Sequence, residues 1–137
     1  MSLLKELLEG YGYNVISYDL LSDDELIIYE RLVEISDNDM PDVIFTTGGT
    51  GFSIRDRVPE ATIKAGERNV PGISQAIRNY SMGITSKAML SRTESVIRKR
   101  TVIINLPGSP KAVRECLDFI LPTLGHGIDI LRGEADG

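Results

Sequence analysis

The chain has 137 residues, of which 42% are hydrophobic and 26% are charged, and its formal net charge is -5. This length suits one domain, residues 1–137, built around a single core. The acidic balance argues against non-specific binding of DNA or RNA. The single cysteine, the lack of a signal-peptide pattern and the lack of a bilayer-length apolar run predict a soluble cytoplasmic protein with no membrane partner.

The first half of the chain alternates predicted helices and strands. LLKELLEG (3–10) has leucines at helical spacing and ends on a glycine, which predicts a short helix, and YNVISYDL (13–20) predicts a strand. A second helix is predicted over 22–35, where Ser22 and Glu25 have the spacing of a capping box. PDVIFTT (41–47) predicts a short strand buried on both faces of a parallel sheet.

The second half continues the alternation. Pro59 and Pro71 are each placed to begin a helix. SRTESVI (91–97) and TVIINL (101–106) predict a hairpin whose basic turn, residues 98–100, is solvated. A last helix follows PGSPK, with Cys116 on its apolar face as a packed core thiol. Together these elements predict a three-layer α/β/α domain with a mostly parallel sheet, in which one strand pair can be antiparallel.

The glycine-rich turn TTGGTG (46–51) follows the strand predicted at 41–47. Ligands of open parallel sheets bind at the carboxyl ends of the strands, and bare backbone lets N–H groups approach an anion. The turn fits neither the Walker nor the GxGxxG pattern, so by itself it indicates a phosphate cradle and a simple tight turn equally. Arg55 and Asp56 favour the cradle, because one can pair with phosphate and the other can hold hydrated Mg²⁺. A surface ion pair is the alternative for these two residues.

The turn NLPGSPK (105–111) also follows a predicted strand and leads into a helix. Ser109 can cap that helix and Pro110 can occupy its first position. Lys111 then lies in the first turn, where the helix dipole disfavours a cation unless an anion also binds; extension of Lys111 into solvent is the alternative. Two such turns indicate an elongated ligand with two phosphate-bearing parts.

In their order, TTGGTG, Arg-Asp, Pro-Glu-Ala-Thr, AMLSR and NLPGSPK resemble the molybdopterin adenylyltransferase family of molybdenum-cofactor biosynthesis, the MogA/MoaB group. The resemblance covers nearly the whole chain. It implies a Rossmann-like fold and transfer of adenylate from Mg-ATP to the terminal phosphate of molybdopterin, with release of pyrophosphate. It also implies a homotrimer or hexamer, and contacts with other proteins of cofactor synthesis.

The resemblance further implies roles for individual residues. Asp56 and Asp23 would be the catalytic carboxylates and would hold Mg²⁺, although Asp23 can equally be a first-turn acid that complements the dipole of the second helix. The residues implied to bind molybdopterin and ATP are Thr47, Gly48, Gly49, Thr50, Gly51, Arg55, Ser91, Arg92, Asn105, Pro107, Gly108, Ser109 and Lys111.

The chain departs from the family pattern at two places. Val58 stands where the family has a threonine that caps the following helix, so the start of that helix is expected to be looser. The family's first strand has no counterpart ahead of the helix at 3–10, which would leave backbone edges unpaired. Reduced stability and weak catalysis are therefore expected. The alternative functions are a pterin- or nucleotide-binding assembly protein of the same pathway and, less favoured, a purely structural subunit.

Overall fold

The computed structural model describes residues 2–134, with side chains from Leu4 onward. Its helices and strands are α1 (Ser2–Gly10), α2 (Glu25–Glu34), β1 (Val43–Thr47), α3 (Val58–Ala65), β2 (Arg68–Asn69), α4 (Pro71–Met82), β3 (Ser95–Arg98), β4 (Thr101–Leu106) and α5 (Pro110–Leu131). A π-helical turn, Ile35–Asp39, extends α2, and a 3-10 turn, Ser86–Leu90, precedes β3. Within residues 2–134, no helix is long and apolar enough to cross a bilayer.

The strands form one sheet in the order β1-β4-β3-β2, with helices on both faces. The predicted three-layer α/β architecture is confirmed. The sheet is mixed and not mostly parallel, because β1 pairs with β4 in parallel while the β3–β4 and β2–β3 pairs are antiparallel. The two-residue connection between β3 and β4 permits only an antiparallel hairpin, as the sequence predicted.

Alternating side chains of β4 supply both cores. Val102, Ile104 and Leu106 pack with α1, α4 and α5 on one face, whereas Ile103 packs with α2 and α3 on the other. All six residues of β4 are buried, so β4 is the central strand of the fold. Cys116 lies in the first of these cores, and burial raises the pKa of its thiol, which confirms the prediction of a packed thiol.

Strand β1 lies at an edge of the sheet and is less buried than predicted. Val43 and Phe45 pack against one core and Ile44 packs against the other, so both faces are covered but not fully. The Val102 N–H donates to the Asp42 carbonyl and the Gly48 N–H donates to the Leu106 carbonyl. Between these two hydrogen bonds, alternate residues of β1 direct their backbone N–H and C=O groups toward β4. The residues between them direct theirs to the open side of the strand. Four of the five residues of β1 are half-buried and the fifth is exposed.

The prediction of a strand at 13–20 is also wrong. Residues 13–22 form neither helix nor strand, and among the described residues no backbone hydrogen bond joins 14–22 to another segment. Ile16, Tyr18 and Leu20 are exposed. The apolar alternation that predicted a strand needs a partner strand to form a ladder, and β1 does not provide it.

The helix starts agree with the sequence at the two prolines and differ at α2. Pro59 and Pro71 lie in the first turns of α3 and α4, as predicted. The N-cap of α2 is Asp24 and not Ser22, because the Asp24 carboxylate accepts from the N–H groups of Leu26 and Ile27. At α3 the expected lack of a side-chain cap is confirmed, but the N-cap position is Arg57 and Val58 is the first residue of the helix.

The basic hairpin turn is not simply solvated. Arg98 donates from two guanidinium nitrogens to the two carboxylate oxygens of Asp37, each at 3.0 Å, and from the third to the Ala65 carbonyl. Lys99 lies 3.3 Å from the same carboxylate. These contacts tie the hairpin to the end of α2 and to α3. The Arg98 hydrogen bonds hold the pKa of Asp37 below its usual value of 3.8.

The stability contributed by Asp37 is expected to disappear in acid. Because its folded-state pKa is lowered, this contribution is complete above the unfolded-state pKa and is lost as the pH falls through the folded-state value. Urea unfolding measured between pH 6 and pH 2.5 should therefore show a steeper acid loss for the parent than for Asp37→Asn. Equal pH dependence of the two midpoints would contradict this assignment. Asp129→Asn, an exposed acid on α5, is the matched control.

Candidate active site

The two predicted phosphate-binding turns lie side by side. Because β1 and β4 are parallel neighbours, their carboxyl ends meet at one edge of the sheet. A Cβ placed on Gly108 would lie 3.3 Å from the Cα of Gly48, so the two backbones touch at this point. The Gly48 N–H also donates to the Leu106 carbonyl at 3.1 Å. The turns thus form one continuous backbone surface.

The first turn depends on two glycines in the left-handed region. Gly48 has φ 81° and Gly49 has φ 69°, a conformation that side chains disfavour. A Cβ on Gly49 would also lie 2.5 Å from Cγ2 of Val58, whose own N–H donates to the Gly49 carbonyl at 3.2 Å. The glycines therefore serve both the turn itself and its close packing on α3.

A cleft of about 320 Å³ opens beside this turn. Its walls are the segment 15–23, one side of α2, strand β1 and the start of the glycine turn. Five of the predicted site residues line it, namely Asp23, Thr47, Gly48, Gly49 and Arg55. The cleft thus brings together the acidic side chain of Asp23, the basic side chain of Arg55 and the glycine backbone of the turn.

Asp23 and its neighbour Asp24 have different surroundings. The Asp24 carboxylate caps α2, whereas the Asp23 carboxylate is exposed and, within residues 2–134, makes no hydrogen bond or ion pair. Asp24 is the N-cap and Glu25 is the acid in the first turn of α2, so Asp23 lies one residue before the cap. Asp23 is left with a carboxylate available to the cleft.

Arg31 was missed by the sequence analysis, although it lines the same cleft. Its guanidinium donates to Asp19 at 2.9 Å and to Glu34 at 2.8 Å, and the Asp19 hydrogen bond raises its pKa. In the sequence, Arg31 cannot be distinguished from an ordinary solvent-exposed arginine on a helix. It becomes part of the cleft wall only because the segment 15–23 folds over α2.

Asp56 is not part of the cleft wall. Its Oδ2 accepts the Ser53 N–H at 3.0 Å, and the Asp56 N–H donates to the Ser53 carbonyl, also at 3.0 Å. These two bonds close a tight turn over residues 53–56, with Asp56 half-buried and Arg55 exposed. Asp23 therefore lines the cleft and Asp56 does not. Among the described residues, no three metal-binding side chains gather into one group.

The second turn is built as the sequence predicted. Ser109 is the N-cap of α5, where its hydroxyl accepts the Ala112 N–H, and Pro110 is in the first turn. Lys111 is exposed, and the described residues offer it no ion-pair partner. Pro107 is half-buried, and Gly108 and Ser109 are exposed beside the glycine turn. The positive end of α5 is thus open to an anion.

Three further predicted site residues direct their polar groups into the protein. Asn105 is wholly buried; its amide nitrogen donates to the hydroxyls of Thr46 and Thr62, and its Oδ1 accepts the Glu94 N–H. The carbonyl of Thr50, a buried residue, accepts the Arg92 N–H at 2.8 Å. The Arg92 guanidinium donates hydrogen bonds to the carbonyls of Gly51 and Asp56, in the loop that follows the glycine turn.

Ser91 lies directly before Arg92 and is half-buried. Its carbonyl accepts a hydrogen bond from Arg78. The structure therefore connects the Ser-Arg pair to α4 on one side and to the glycine loop on the other.

Comparison with known proteins agrees with this geometry. The profile of the family described as "Probable molybdopterin binding domain" matches residues 1–126. The chain belongs to this molybdopterin-binding domain family. It is 36% identical over 132 residues to the molybdopterin adenylyltransferase of Helicobacter pylori, covering 95% of this chain and 75% of the relative. With the enzyme of that name from Escherichia coli it shares 39% identity over 113 residues, which is 80% of this chain and 58% of the relative.

Solved structures of similar proteins confirm the fold. The crystal structure of the molybdopterin biosynthesis enzyme MoaB from Thermus thermophilus is 40% identical, with a TM-score of 0.89 over 96% of this chain and 83% of that one. The molybdopterin biosynthesis Mog protein from Mycobacterium ulcerans is 32% identical, with a TM-score of 0.87 over 95% of this chain and 84% of that one. The molybdopterin-binding domain fold therefore extends over nearly all of the chain.

The carboxylates of this family member suit a hydrated magnesium ion bound through a nucleotide. Mg²⁺ prefers oxygen ligands, keeps several waters and is commonly held by one or two carboxylates together with substrate phosphates. The free carboxylate of Asp23 and the second oxygen of Asp56 meet that requirement, whereas a cage made of protein ligands alone would need more of them.

Proposed function

We propose that this member of the molybdopterin-binding domain family catalyses adenylyl transfer from ATP to molybdopterin. A terminal phosphate oxygen of molybdopterin attacks the α-phosphorus of ATP and forms the new P–O bond. The bond from that phosphorus to the oxygen bridging to the β-phosphate breaks, and pyrophosphate leaves with the electron pair. The products are adenylyl-molybdopterin and pyrophosphate.

The contact between Gly48 and Gly108 is the observation that supports this proposal most directly. It joins two anion-binding turns into one surface, which is what a reaction between two phosphate-bearing substrates requires. Such transfers depend mainly on positioning and on stabilisation of charge. The names of the similar proteins support an enzyme and do not favour an assembly protein without turnover.

The proposed roles follow the placement of each residue. Backbone and side chains of Thr47, Gly48, Gly49, Gly51, Arg55, Ser91, Pro107, Gly108, Ser109 and Lys111 would bind the phosphates and the pterin. Thr50 and Asn105, which are buried, would support the two turns from within. Arg55 and Lys111 provide positive charge at opposite ends of the backbone surface, so each can serve one phosphate group.

Magnesium would be bound by Asp56 and Asp23 together with the nucleotide phosphates. The ion would neutralise the charge that develops on the leaving pyrophosphate. Each carboxylate would contribute one ligand, Asp23 from the cleft wall and Asp56 through the oxygen that does not accept the Ser53 N–H, and the nucleotide phosphates would complete the set.

We further propose that the chain works as a homotrimer or hexamer in the cytoplasm and meets other proteins of molybdenum-cofactor synthesis. Large exposed apolar side chains support assembly, among them Leu20, Leu26, Phe52 and Ile54. Sedimentation at several protein concentrations would give the number of copies.

The direct test is to incubate the purified chain with molybdopterin, ATP and Mg²⁺ and to measure adenylyl-molybdopterin and pyrophosphate by chromatography. Equal amounts of both products are expected. Molybdopterin binding without product would contradict the enzyme and leave the pterin-binding assembly protein. Absence of binding to either substrate would leave a structural subunit. A rate matching that of the Helicobacter pylori relative would contradict the expectation of weak catalysis.

A further inference from the structure

Each of the three guanidinium nitrogens of Arg92 donates a hydrogen bond to the protein. Its Nε donates to the Gly51 carbonyl at 2.8 Å, its Nη2 donates to the Asp56 carbonyl at 2.6 Å, and its Nη1 donates to the Glu60 carboxylate at 2.5 Å. Its backbone N–H donates to the Thr50 carbonyl at 2.8 Å. One residue therefore holds both ends of the loop 50–56 and joins them to the first turn of α3.

The loop 50–56 has few other attachments. Its hydrogen bonds at Ser53, Arg55 and Asp56 lie within the turn and do not reach the rest of the protein. Its tip is unpacked, with Ile54 94% exposed and Phe52 73% exposed. The Arg92 bonds, together with the packing of Val58 on Gly49, thus set the position of the loop relative to the sheet.

Glu60 fixes Arg92 in turn. Both side chains are partly buried, at 34% and 29% exposure, and the second oxygen of Glu60 is buried without a partner among the described residues. Arginine suits this position because its planar fork can reach two carbonyls and a carboxylate at once. Lysine has one nitrogen and cannot span the three acceptors.

We infer that Arg92 is a positioning residue, which holds the loop 50–56 and through it Asp56, and that its guanidinium does not bind substrate. This goes beyond the substrate-binding role that the family resemblance implies for Arg92. The positioning of Asp56 matters for turnover only if the proposed adenylyl transfer is correct, whereas the clamp on the loop is a property of the fold.

The clamp is tested by hydrogen–deuterium exchange of the loop amides, measured by mass spectrometry in the full chain. In Arg92→Met and Arg92→Lys, the hydrogen-bonded amides of Ser53, Arg55 and Asp56 are expected to exchange about ten-fold faster or more than in the parent, because the loop loses its hydrogen bonds from a charged donor. Arg98→Met is the matched control, since Arg98 also bonds to an internal carbonyl, at Ala65, and to a carboxylate, at Asp37, but not to the loop. Unchanged loop exchange in Arg92→Met would overturn the inference.

Arg92→Lys separates the clamp from direct contact with phosphate. If Arg92 clamps the loop, Arg92→Lys should speed loop exchange as much as Arg92→Met does. If Arg92 contacts phosphate instead, Arg92→Lys should keep both the parent's loop exchange and its affinity for pyrophosphate. If Arg92→Met does not fold, Glu60→Gln is measured in its place. It weakens one of the three side-chain hydrogen bonds of Arg92, so a smaller increase in loop exchange is expected.

Kinetics give a second readout that a general loss of stability does not explain. The kcat for adenylyl transfer should fall in both Arg92 variants with little change in the KM for ATP, while Arg98→Met keeps its kcat at a comparable loss of Tm. A parent chain without transfer activity would reject the proposed function, yet the exchange experiment would still decide on the clamp. Loop exchange that is faster in Arg98→Met than in Arg92→Met would reject the clamp alone.

Discussion

Asp56→Asn is expected to lower the rate of adenylyl transfer about 100-fold or more while the binding of molybdopterin is retained. The substitution removes a negative charge and little else. Asparagine keeps an oxygen that can accept the Ser53 N–H, so the turn over residues 53–56 survives. The expected loss therefore reports the chemistry of the carboxylate and its magnesium ligand, and not the loss of the loop.

The measurement is single-turnover formation of adenylyl-molybdopterin with saturating ATP, together with equilibrium binding of molybdopterin. Asp129→Asn is the control, because this exposed acid on α5 lies among no predicted site residues. A transfer rate within a few-fold of the parent would show that Asp56 is not catalytic. Raised Mg²⁺ should recover part of the rate in Asp56→Asn if the lost group is a metal ligand.

Features determined by neighbouring residues could be predicted from the sequence. The Ser109 cap and the proline start of α5 depend on consecutive residues and appear as predicted. The hairpin of β3 and β4 and the burial of Cys116 were likewise predicted from local pattern and periodicity. The two glycine turns were placed correctly because each follows a strand, and parallel strands bring such turns to one edge.

Features that depend on distant partners could not be predicted. The apolar alternation of residues 13–20 indicated a strand, yet a strand forms only where a neighbour completes its hydrogen bonds. Arg92 bonds to Gly51, 41 residues away, and Asn105 bonds to Thr62, 43 residues away. The motifs give no signal for these contacts, and only the folded chain shows that the polar groups of Arg92 and Asn105 bond to the loop and to the sheet.

Gly49→Ala is expected to destabilise the fold by roughly 2–5 kcal/mol and to weaken phosphate binding. Two costs add. A non-glycine residue at φ 69° is strained by about 1–2 kcal/mol, and a Cβ placed 2.5 Å from Cγ2 of Val58 forces α3 or the turn to move at a further cost of about 1–3 kcal/mol. The same movement displaces the backbone N–H groups next to Gly48. Urea unfolding and calorimetric binding of pyrophosphate measure the two effects.

The double substitution Gly49→Ala with Val58→Ala divides these costs. Removing the valine methyls relieves the clash and leaves the backbone strain, so partial recovery relative to Gly49→Ala is expected, beyond the effect of Val58→Ala alone. Gly72→Ala is the matched control, because a Cβ there meets no atom within 4 Å and α4 gains a better helix former. Equal stability of Gly49→Ala and Gly72→Ala would mean that the turn can change shape freely. In that case the close packing of Gly49 on Val58 would not determine where the phosphates bind.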